Sequence, residues 1–175
     1  SPRVALMLDT KGFKIRITRF EEDRELKEGS DVVVVPDTYK DGEILPNNYI
    51  CITYPTLHLD IARNTEILLD DGNLVIKVVD IKEQEILCTV LQGGILGPKK
   101  TVNIPNTHLT FPDLSEKDRN DIKYAVDNNF DFISASYIRN VNDVAKVREV
   151  MGNTETKLIA KIEDREGINN FDQIL

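Results

Sequence analysis

Charged and hydroxyl side chains cluster at the ends of three strand-like stretches, residues 1–9, 131–136 and 156–163. They are Asp9, Thr10 and Lys11 at the first stretch, Ser134, Ser136 and Arg139 at the second, and Lys161 and Glu163 at the third. Ligands of α/β proteins bind at the carboxyl ends of the strands, in barrels and in open sheets alike. The pattern therefore predicts one shared ligand site.

The third stretch, "AKIED", has residue types that can stabilise a developing negative charge. Lys161 and Glu163 are two positions apart, so on a strand they point to the same side. A carboxylate there can hold a divalent metal, and the lysine beside it can neutralise an oxyanion. An ion pair at a strand end, or a lysine that forms a Schiff base as in an aldolase, is also compatible with these two residues.

Two further segments concentrate positive charge. The stretch "ALMLDTKGFKIRI" places Asp9 close to the three bases Lys11, Lys14 and Arg16, which indicates either a site for a highly charged ligand or ion pairs at a loop. The glycine-rich segment "GGILGPKK" ends at Lys100, and its lysine pair is typical either of a phosphate-binding loop or of an ordinary surface.

The composition limits the classes of partner. The chain has 175 residues and a net charge of −8, which suits one large or two small domains and argues against a general nucleic-acid partner. No stretch resembles a membrane span and no signal peptide opens the chain, so we expect no membrane partner. Cys51 and Cys88 lack metal-ligand spacing and predict buried thiols in a reducing compartment, while His58 and His108 are interpreted as structural or surface residues.

The pattern of elements has two parts. Residues 13–111 predict a small all-β, barrel-like unit, in which Asp71-Gly72 indicates a hairpin turn. Its predicted strands are 32–35, 49–54, 66–79 and 85–92. After Pro112 the pattern alternates between helix and strand, which indicates a parallel sheet. The predicted elements there are a helix started by Ser115 and Asp118, a strand at 131–136, a helix capped by Asn142 and stopped by Gly152, a strand at 156–163 and a helix from Gly167.

The first strand has no helix of its own, because the all-β unit separates it from the first helix. We therefore predict an α/β domain with a β domain inserted after one strand. Such a sheet of about three parallel strands leaves one or both of its faces badly covered.

Several motifs resemble the pyruvate kinase family in their order and spacing: "LDTKGFKIR", "DDG", "LGPKK", "VNIP", "LSEKD", "SASYIR" and "AKIEDREG" followed by "FDQIL". The resemblance runs from near residue 3 to residue 175. It implies a partial (β/α)₈ TIM barrel of about three strands with an inserted all-β barrel lid domain. Residues 1–12 and 112–175 are then parts of the TIM-barrel A domain, and 13–111 form the B, or lid, domain.

The activity that the resemblance implies is a glycolytic phosphoryl transfer, from phosphoenolpyruvate to ADP, that yields pyruvate and ATP. The family resemblance further implies Mg²⁺ or Mn²⁺ as cofactor, a cytoplasmic location and a homotetrameric parent protein. By the same resemblance, Lys161 is the catalytic and substrate-binding lysine, Glu163 a Mg²⁺ ligand, Arg16 and Lys100 the nucleotide-binding residues, and Asp9 and Thr10 ligands of K⁺.

Lys14 bears on whether K⁺ is required. Members of the family with glutamate at this position resemble one another in needing K⁺, and members with lysine in working without it. An ammonium group is a fixed monovalent cation, so Lys14 is a possible surrogate for K⁺. Thr10-Lys11 resembles the K⁺-dependent members, whereas Ile17 resembles the lysine type. A lysine that merely pairs with a carboxylate of the lid is the alternative.

The chain also departs from the family pattern. Phe13 stands where proline is common, and Thr101 stands where glycine usually follows the lysine pair. The family's Asn-Phe-Ser-His stretch and Gly-Asp-Leu-Gly segment are absent from residues 1–175, so we expect this chain alone to be inactive. The alternatives are a non-catalytic binding or structural protein that retains the fold, and an aldolase-like lyase.

Overall fold

The computed structural model describes residues 4–110 and 114–175, and the chain divides into two compact units. Unit 1 comprises Ser1–Phe13 and Phe111–Leu175, and unit 2 comprises Lys14–Thr110. The predicted change of domain at residues 111 and 112 lies outside the described residues, and the assignment of the units to the A and B domains stays a prediction. Within the described ranges, no helix has the length and apolar character needed to cross a membrane.

The elements of the two units are as follows in chain order. They are β1 (Met7–Asp9), β2 (Ile17–Thr18), β3 (Arg24–Leu26), β4 (Asp31–Pro36), β5 (Tyr49–Ile52), α1 (Leu57–Asp60), β6 (Glu66–Leu69), β7 (Leu74–Lys82), β8 (Glu85–Gln92), β9 (Gly94–Leu96), β10 (Val102–Asn103), α2 (Glu116–Asp127), β11 (Phe132–Ala135), α3 (Val141–Met151), β12 (Lys157–Ala160), α4 (Arg165–Asn169) and α5 (Phe171–Ile174).

Unit 1 is an α/β structure with a parallel sheet in the order β1-β11-β12. Its core is apolar and is formed by the central strand and the helices packed on it. The buried residues are Ile122, Ala125, Ile133, Ala135, Ile138, Val147 and Met151. The helices supply four of these residues, Ile122, Ala125, Val147 and Met151, because apolar residues recur at helical spacing along α2 and α3. The α/β class is thereby confirmed for this part of the chain.

The apolar character of residues 1–9 predicts a buried strand, and this prediction is wrong. Met7 and Asp9 are exposed and Leu8 is only partly buried, while the predicted residues 1–3 lie outside the described part of the chain. The reason is position: β1 is an edge strand with one neighbour, whereas β11 lies between two strands. Ile159 on the opposite edge is also exposed. The expected poor cover of a three-stranded sheet is therefore observed.

Helix starts follow side-chain capping. The Ser115 hydroxyl accepts the backbone N–H of Asp118, as the sequence predicts. The cap of α3 is Asn140 and not the predicted Asn142, because the Asn140 side chain accepts the N–H groups of residues 142 and 143. Likewise α4 begins at Arg165, capped by the preceding Asp164, rather than at the predicted glycine. The predicted strand 156–163 ends earlier, at Ala160.

Unit 2 is all-β apart from α1, and its main sheet has the order β10-β6-β7-β8-β4-β5-β2. The sheet is mixed, because β4 and β5 pair in parallel while the other pairs are antiparallel. A closed ladder of strands, as in the predicted barrel, is not formed by the described residues. The two edges meet at a single bridge between Arg16 and Thr101, because β2 and β10 have only two residues each.

The predicted hairpin at Asp71-Gly72 is confirmed as the turn between β6 and β7. Asp70, Asp71 and Gly72 have positive φ values of 50°, 56° and 88°, a conformation that aspartate and glycine adopt more readily than most residues. Cys51 and Cys88 are buried free thiols, as expected. In the part of the chain that the structure describes, no cluster of three or more histidine, cysteine or acidic residues is arranged to hold a metal.

Candidate functional site

The predicted site residues at the strand ends of unit 1 lie close together. Lys161 follows β12, and its Nζ lies 2.9 Å from Asp9 Oδ1 at the end of β1. The backbone of Lys161 is fixed too, because its N–H donates to the carbonyl of Ala135 at 2.9 Å. The hydrogen bond with Asp9 is the main reason why the pKa of Lys161 is raised above its usual value. Lys161 is therefore held as a cation next to a carboxylate.

Glu163 lies in the loop after β12. The prediction that Lys161 and Glu163 point to the same side because both belong to one strand therefore does not apply. Its Oε2 accepts the backbone N–H of Tyr137 at 2.8 Å. A second contact joins the same two loops, because the carbonyl of Lys161 accepts the N–H of Ile138 at 3.0 Å. Tyr137 has a positive φ of 61°, which is uncommon for an aromatic residue. The loops after β11 and β12 are thus tied together around the two predicted functional residues.

The loop after β1 is fixed by Ser136. The Ser136 N–H donates to the hydroxyl of Thr10 at 3.0 Å, and the Ser136 hydroxyl donates to the carbonyl of Thr10 at 2.6 Å. The same hydroxyl lies 3.3 Å from Asp9 Oδ1. The structure therefore brings together the predicted residues Asp9, Thr10, Ser136 and Lys161 in unit 1.

Arg139 has a different environment from the one predicted. Its guanidinium pairs with the Asp143 carboxylate through Nε at 3.0 Å and Nη2 at 3.1 Å, and its side chain is 8% exposed. The Arg139 N–H also donates to Asp143, at 3.0 Å. This two-point pair at the start of α3 stabilises the loop that contains Tyr137 rather than presenting a charge to solvent.

Asp118, which the sequence predicts only as part of a helix start, also belongs to the surroundings of the predicted site. Its side chain is 2% exposed. One carboxylate oxygen accepts the N–H of Lys11 at 2.9 Å, and the other accepts the N–H of Gly12 at 3.2 Å. A buried acid in the first turn of α2 therefore contacts the loop of the predicted site, through contacts between residues far apart in sequence.

Arg16 and Lys100, the residues predicted to bind nucleotide, lie side by side in unit 2. The N–H of Ile17 donates to the Lys100 carbonyl at 2.9 Å, and Arg16 Nη1 donates to the Lys99 carbonyl at 3.1 Å. Lys100 Nζ lies 3.1 Å from Asp70 Oδ1, and this hydrogen bond is the main reason why the pKa of Asp70 is lowered. The bridge between Arg16 and Thr101 thus brings the backbone of the Lys100 segment next to that of Arg16, although the two segments are far apart in sequence.

Thr101 holds the loop of Lys100 against the hairpin turn. Its hydroxyl accepts the N–H of Asp71 at 3.1 Å and donates to Asp71 Oδ1 at 2.9 Å. Its carbonyl accepts the N–H of Asp70 at 2.9 Å. Thr101, which stands where the family that the sequence resembles usually has glycine, therefore has a structural role in this loop.

Lys14, the possible K⁺ surrogate, is exposed in unit 2. Among the described residues no salt bridge joins Lys14 to a carboxylate of this unit. Whether Lys14 replaces K⁺ or pairs with a carboxylate of the lid stays a prediction.

The acidic groups of unit 1 fit a cation site only in part. Glu163 supplies one carboxylate with an oxygen engaged by Tyr137, whereas a Mg²⁺ site needs several oxygen ligands in octahedral geometry. Within residues 4–110 and 114–175, no three histidine, cysteine or acidic side chains are grouped in a way that could hold a metal ion. Asp9 and Thr10 offer carboxylate and hydroxyl oxygens of the type that hard cations prefer, but Lys161 contacts the Asp9 carboxylate.

The fold and the site define an α/β protein in which polar side chains meet at the carboxyl ends of three parallel strands, the position where such proteins bind ligands. The family profile described as pyruvate kinase, barrel domain, matches residues 1–175, and the chain therefore belongs to the pyruvate kinase family. The predicted resemblance is confirmed.

Curated relatives named pyruvate kinase have similar sequences over nearly the whole chain. The protein of Geobacillus stearothermophilus is 42% identical over 179 residues, which cover 98% of this chain and 30% of the relative. The Clostridium perfringens protein is 40% identical, and the match covers 98% of this chain and 36% of the relative. The Agaricus bisporus protein is 38% identical, and the match covers 98% of this chain and 33% of the relative. The chain thus spans about a third of the length of these relatives.

Proposed function

We propose that this chain is part of a pyruvate kinase that transfers the phosphoryl group of phosphoenolpyruvate to ADP. The observation that carries the proposal is the Lys161–Asp9 pair at the strand ends of a chain that belongs to this family. In this proposal residues 1–12 and 112–175 are a three-strand portion of a (β/α)₈ barrel. Residues 13–111 form the inserted lid domain.

The reaction breaks the bond between phosphorus and the enol oxygen of phosphoenolpyruvate and forms a bond between phosphorus and a β-phosphate oxygen of ADP. The enolate that leaves takes up a proton at carbon and becomes pyruvate. Such transfers depend on positioning and on neutralising charge rather than on covalent catalysis by the protein. We assign to the Lys161 ammonium the stabilisation of the enolate oxygen and of the phosphoryl group during transfer, because preorganised cations act on charge that develops in the transition state.

Cations complete the proposal. Glu163 would hold Mg²⁺ or Mn²⁺ together with ligands from outside residues 1–175, and Asp9 and Thr10 would hold K⁺ where K⁺ is used. A bound divalent cation supplies charge neutralisation at the phosphoryl and enolate oxygens. Lys14 would supply a fixed positive charge in place of K⁺.

The nucleotide partners follow from unit 2. Arg16 and Lys100 carry positive charge on adjacent positions, and we propose that they bind the phosphates of ADP and ATP. The remaining proposals are a cytoplasmic glycolytic enzyme, a homotetrameric parent protein, and small molecules as partners rather than nucleic acid or membrane. The net charge of −8 is consistent with them.

An aldolase-like lyase is disfavoured by the state of Lys161. A Schiff-base lysine must lose its proton to act as a nucleophile, so its pKa is usually lowered. The pKa of Lys161 is raised by its hydrogen bond with Asp9. The non-catalytic alternative is tested below, since a protein that only retains the fold would show no turnover.

The experiment is a comparison of Lys161→Met with Lys157→Met in the full-length protein. Lys157 lies exposed on β12, the strand that directly precedes Lys161, so the control removes a lysine charge from a neighbouring position. We expect Lys161→Met to lower the rate of ATP formation by about a hundredfold or more, roughly 3 kcal/mol of transition-state stabilisation. The measurement is ATP formation from phosphoenolpyruvate and ADP with Mg²⁺ and K⁺ present, coupled to pyruvate detection. An inactive wild-type protein would support the non-catalytic alternative, and equal rates for both variants would refute the role of Lys161.

A further inference from the structure

The carboxylate of Asp118 is buried and directed at the loop after β1. It accepts two consecutive backbone N–H groups, from Lys11 at 2.9 Å and from Gly12 at 3.2 Å, across more than a hundred residues of chain. Acidic residues in the first turn of a helix ordinarily stabilise it while exposed to solvent. Asp118 is instead 2% exposed, so its burial needs the two N–H donors as compensation.

The loop that Asp118 contacts cannot easily adopt another conformation. Gly12 has a φ of +69°, and a Cβ atom at this position would lie 2.8 Å from the Cβ of Ser136. On its other side the loop is held by two hydrogen bonds, which the backbone N–H and the hydroxyl of Ser136 donate to Thr10. The chain from Thr10 to Gly12 is therefore fixed between α2 and the loop after β11.

We infer that Asp118 is a positioning residue, which sets the orientation of Asp9 and Thr10 and, through Asp9, of the Lys161 ammonium. This inference deepens the proposed function and rests on it for its catalytic consequence. Asp9 directly precedes the fixed segment, and its carboxylate lies 2.9 Å from Lys161 Nζ. A change in the loop conformation therefore moves the partner of the catalytic lysine without touching substrate.

The first test does not depend on activity. Trans-hydrogen-bond scalar couplings between the Asp118 carboxyl carbon and the amide nitrogens of Lys11 and Gly12 should be observed by NMR in the wild-type chain. In Asp118→Asn, which keeps the side-chain shape, we expect both amides to exchange with solvent about tenfold faster or more, since hydrogen bonds to charged groups contribute more than neutral ones. In the control Asp121→Asn, on the same helix, exchange at these amides should be unchanged.

The second test separates positioning from stability. In the full-length protein, at temperatures where the variants stay folded, Asp118→Asn should lower kcat about tenfold or more. The KM for ADP should stay within about twofold, because the nucleotide residues Arg16 and Lys100 belong to the other unit. Asp121→Asn should keep wild-type values of both constants.

Each outcome decides between distinct claims. Absence of the scalar couplings in the wild-type chain would overturn the inference even if Asp118→Asn fails to fold. Wild-type kcat in a folded Asp118→Asn would overturn it as well, whatever the exchange rates. If the scalar couplings are observed but the wild-type protein forms no ATP, the proposed function is refuted. The catalytic consequence of the contact between Asp118 and the loop after β1 is then refuted with it.

Discussion

Lys161 is held through both its backbone and its side chain. Its N–H donates to the carbonyl of Ala135, and its ammonium group contacts the carboxylate of Asp9. "AKIED" made the pair of Lys161 and Glu163 easy to find, because lysine and glutamate two residues apart are visible in the sequence. The partner of the lysine was not visible as such. Asp9 is brought to Lys161 by the order of strands in the sheet, which no local pattern encodes.

Lys14 gives a prediction about monovalent cations. The full-length protein should be active in a tetramethylammonium buffer free of K⁺, Na⁺ and NH₄⁺, and Lys14→Glu should create a requirement for K⁺. The reason is that the ammonium supplies a positive charge that glutamate replaces with a negative one. Lys27→Glu, which makes the same charge change elsewhere in unit 2, should leave the rate without K⁺ unaltered. A wild-type rate that rises about a hundredfold on addition of K⁺ would show that Lys14 is not the surrogate.

Thr101 gives a prediction about stability. Thr101→Val keeps the β-branched shape but removes the hydroxyl that both accepts from and donates to Asp71. We expect a loss of about 1 kcal/mol in the free energy of unfolding and faster exchange of the Asp71 amide. Urea unfolding and hydrogen exchange measure the two effects. Thr101→Ser keeps the hydroxyl, so an equal loss in both variants would mean that the bonds to Asp71 are not the cause.

Elements were predictable where a local pattern determines them. The strand at 85–92 corresponds to β8, and the start of α2 lies at Ser115, because alternation and capping are properties of neighbouring residues. The exposure of β1 and the opening of the seven-stranded sheet were not predictable in this way. Both depend on which strands become neighbours, and that is set by contacts between distant segments.

The Glu85 carboxylate of β8 connects three segments of unit 2 and predicts an alkaline transition. It accepts the hydroxyls of Tyr39, after β4, at 2.5 Å and of Tyr49, in β5, at 2.8 Å. Mainly through this hydrogen bond, the pKa of Tyr39 is raised to about 12. A raised folded-state pKa contributes stability that is fully present below the unfolded pKa of about 10 and is lost as the pH rises through 12.

Ionisation of Tyr39 should therefore occur near pH 12 in the wild-type chain and move back toward 10 in Glu85→Gln. The Tyr39 ring resonances, followed by NMR against pH, give the titration directly. Glu66→Gln on β6 removes a carboxylate from the same sheet without touching Tyr39 and serves as the control. An unchanged Tyr39 titration in Glu85→Gln would contradict the assigned cause.

The whole chain spans 30% of the Geobacillus stearothermophilus relative, although it matches the family over residues 1–175. Membership of the family was predictable because its motifs occur in order along the entire chain. That the site is incomplete within residues 1–175 rests on comparison with the family pattern alone, and it stays a prediction.

The chain of residues 1–175 should accordingly form no measurable ATP by itself. A divalent cation needs more oxygen ligands than Glu163 supplies, and without the cation the charge of the transferred phosphoryl group is poorly neutralised. The assay contains the purified chain, Mg²⁺, K⁺, phosphoenolpyruvate and ADP, with the full-length protein as the positive control. Turnover close to that of the full-length protein would show that the site is complete within these residues.

The parallel pairing of β1 with β11 also has a consequence for synthesis on the ribosome. Leu6 and Asp131, which are hydrogen-bonded beside this strand pair, are 125 residues apart. At about 5–20 residues per second, the first strand emerges about 6–25 s before its neighbour. The strands of unit 2 pair among themselves, so that unit can fold in this interval, before β11 is available to the apolar stretch that forms β1. Slower translation should therefore prolong the time during which chaperones can bind this stretch.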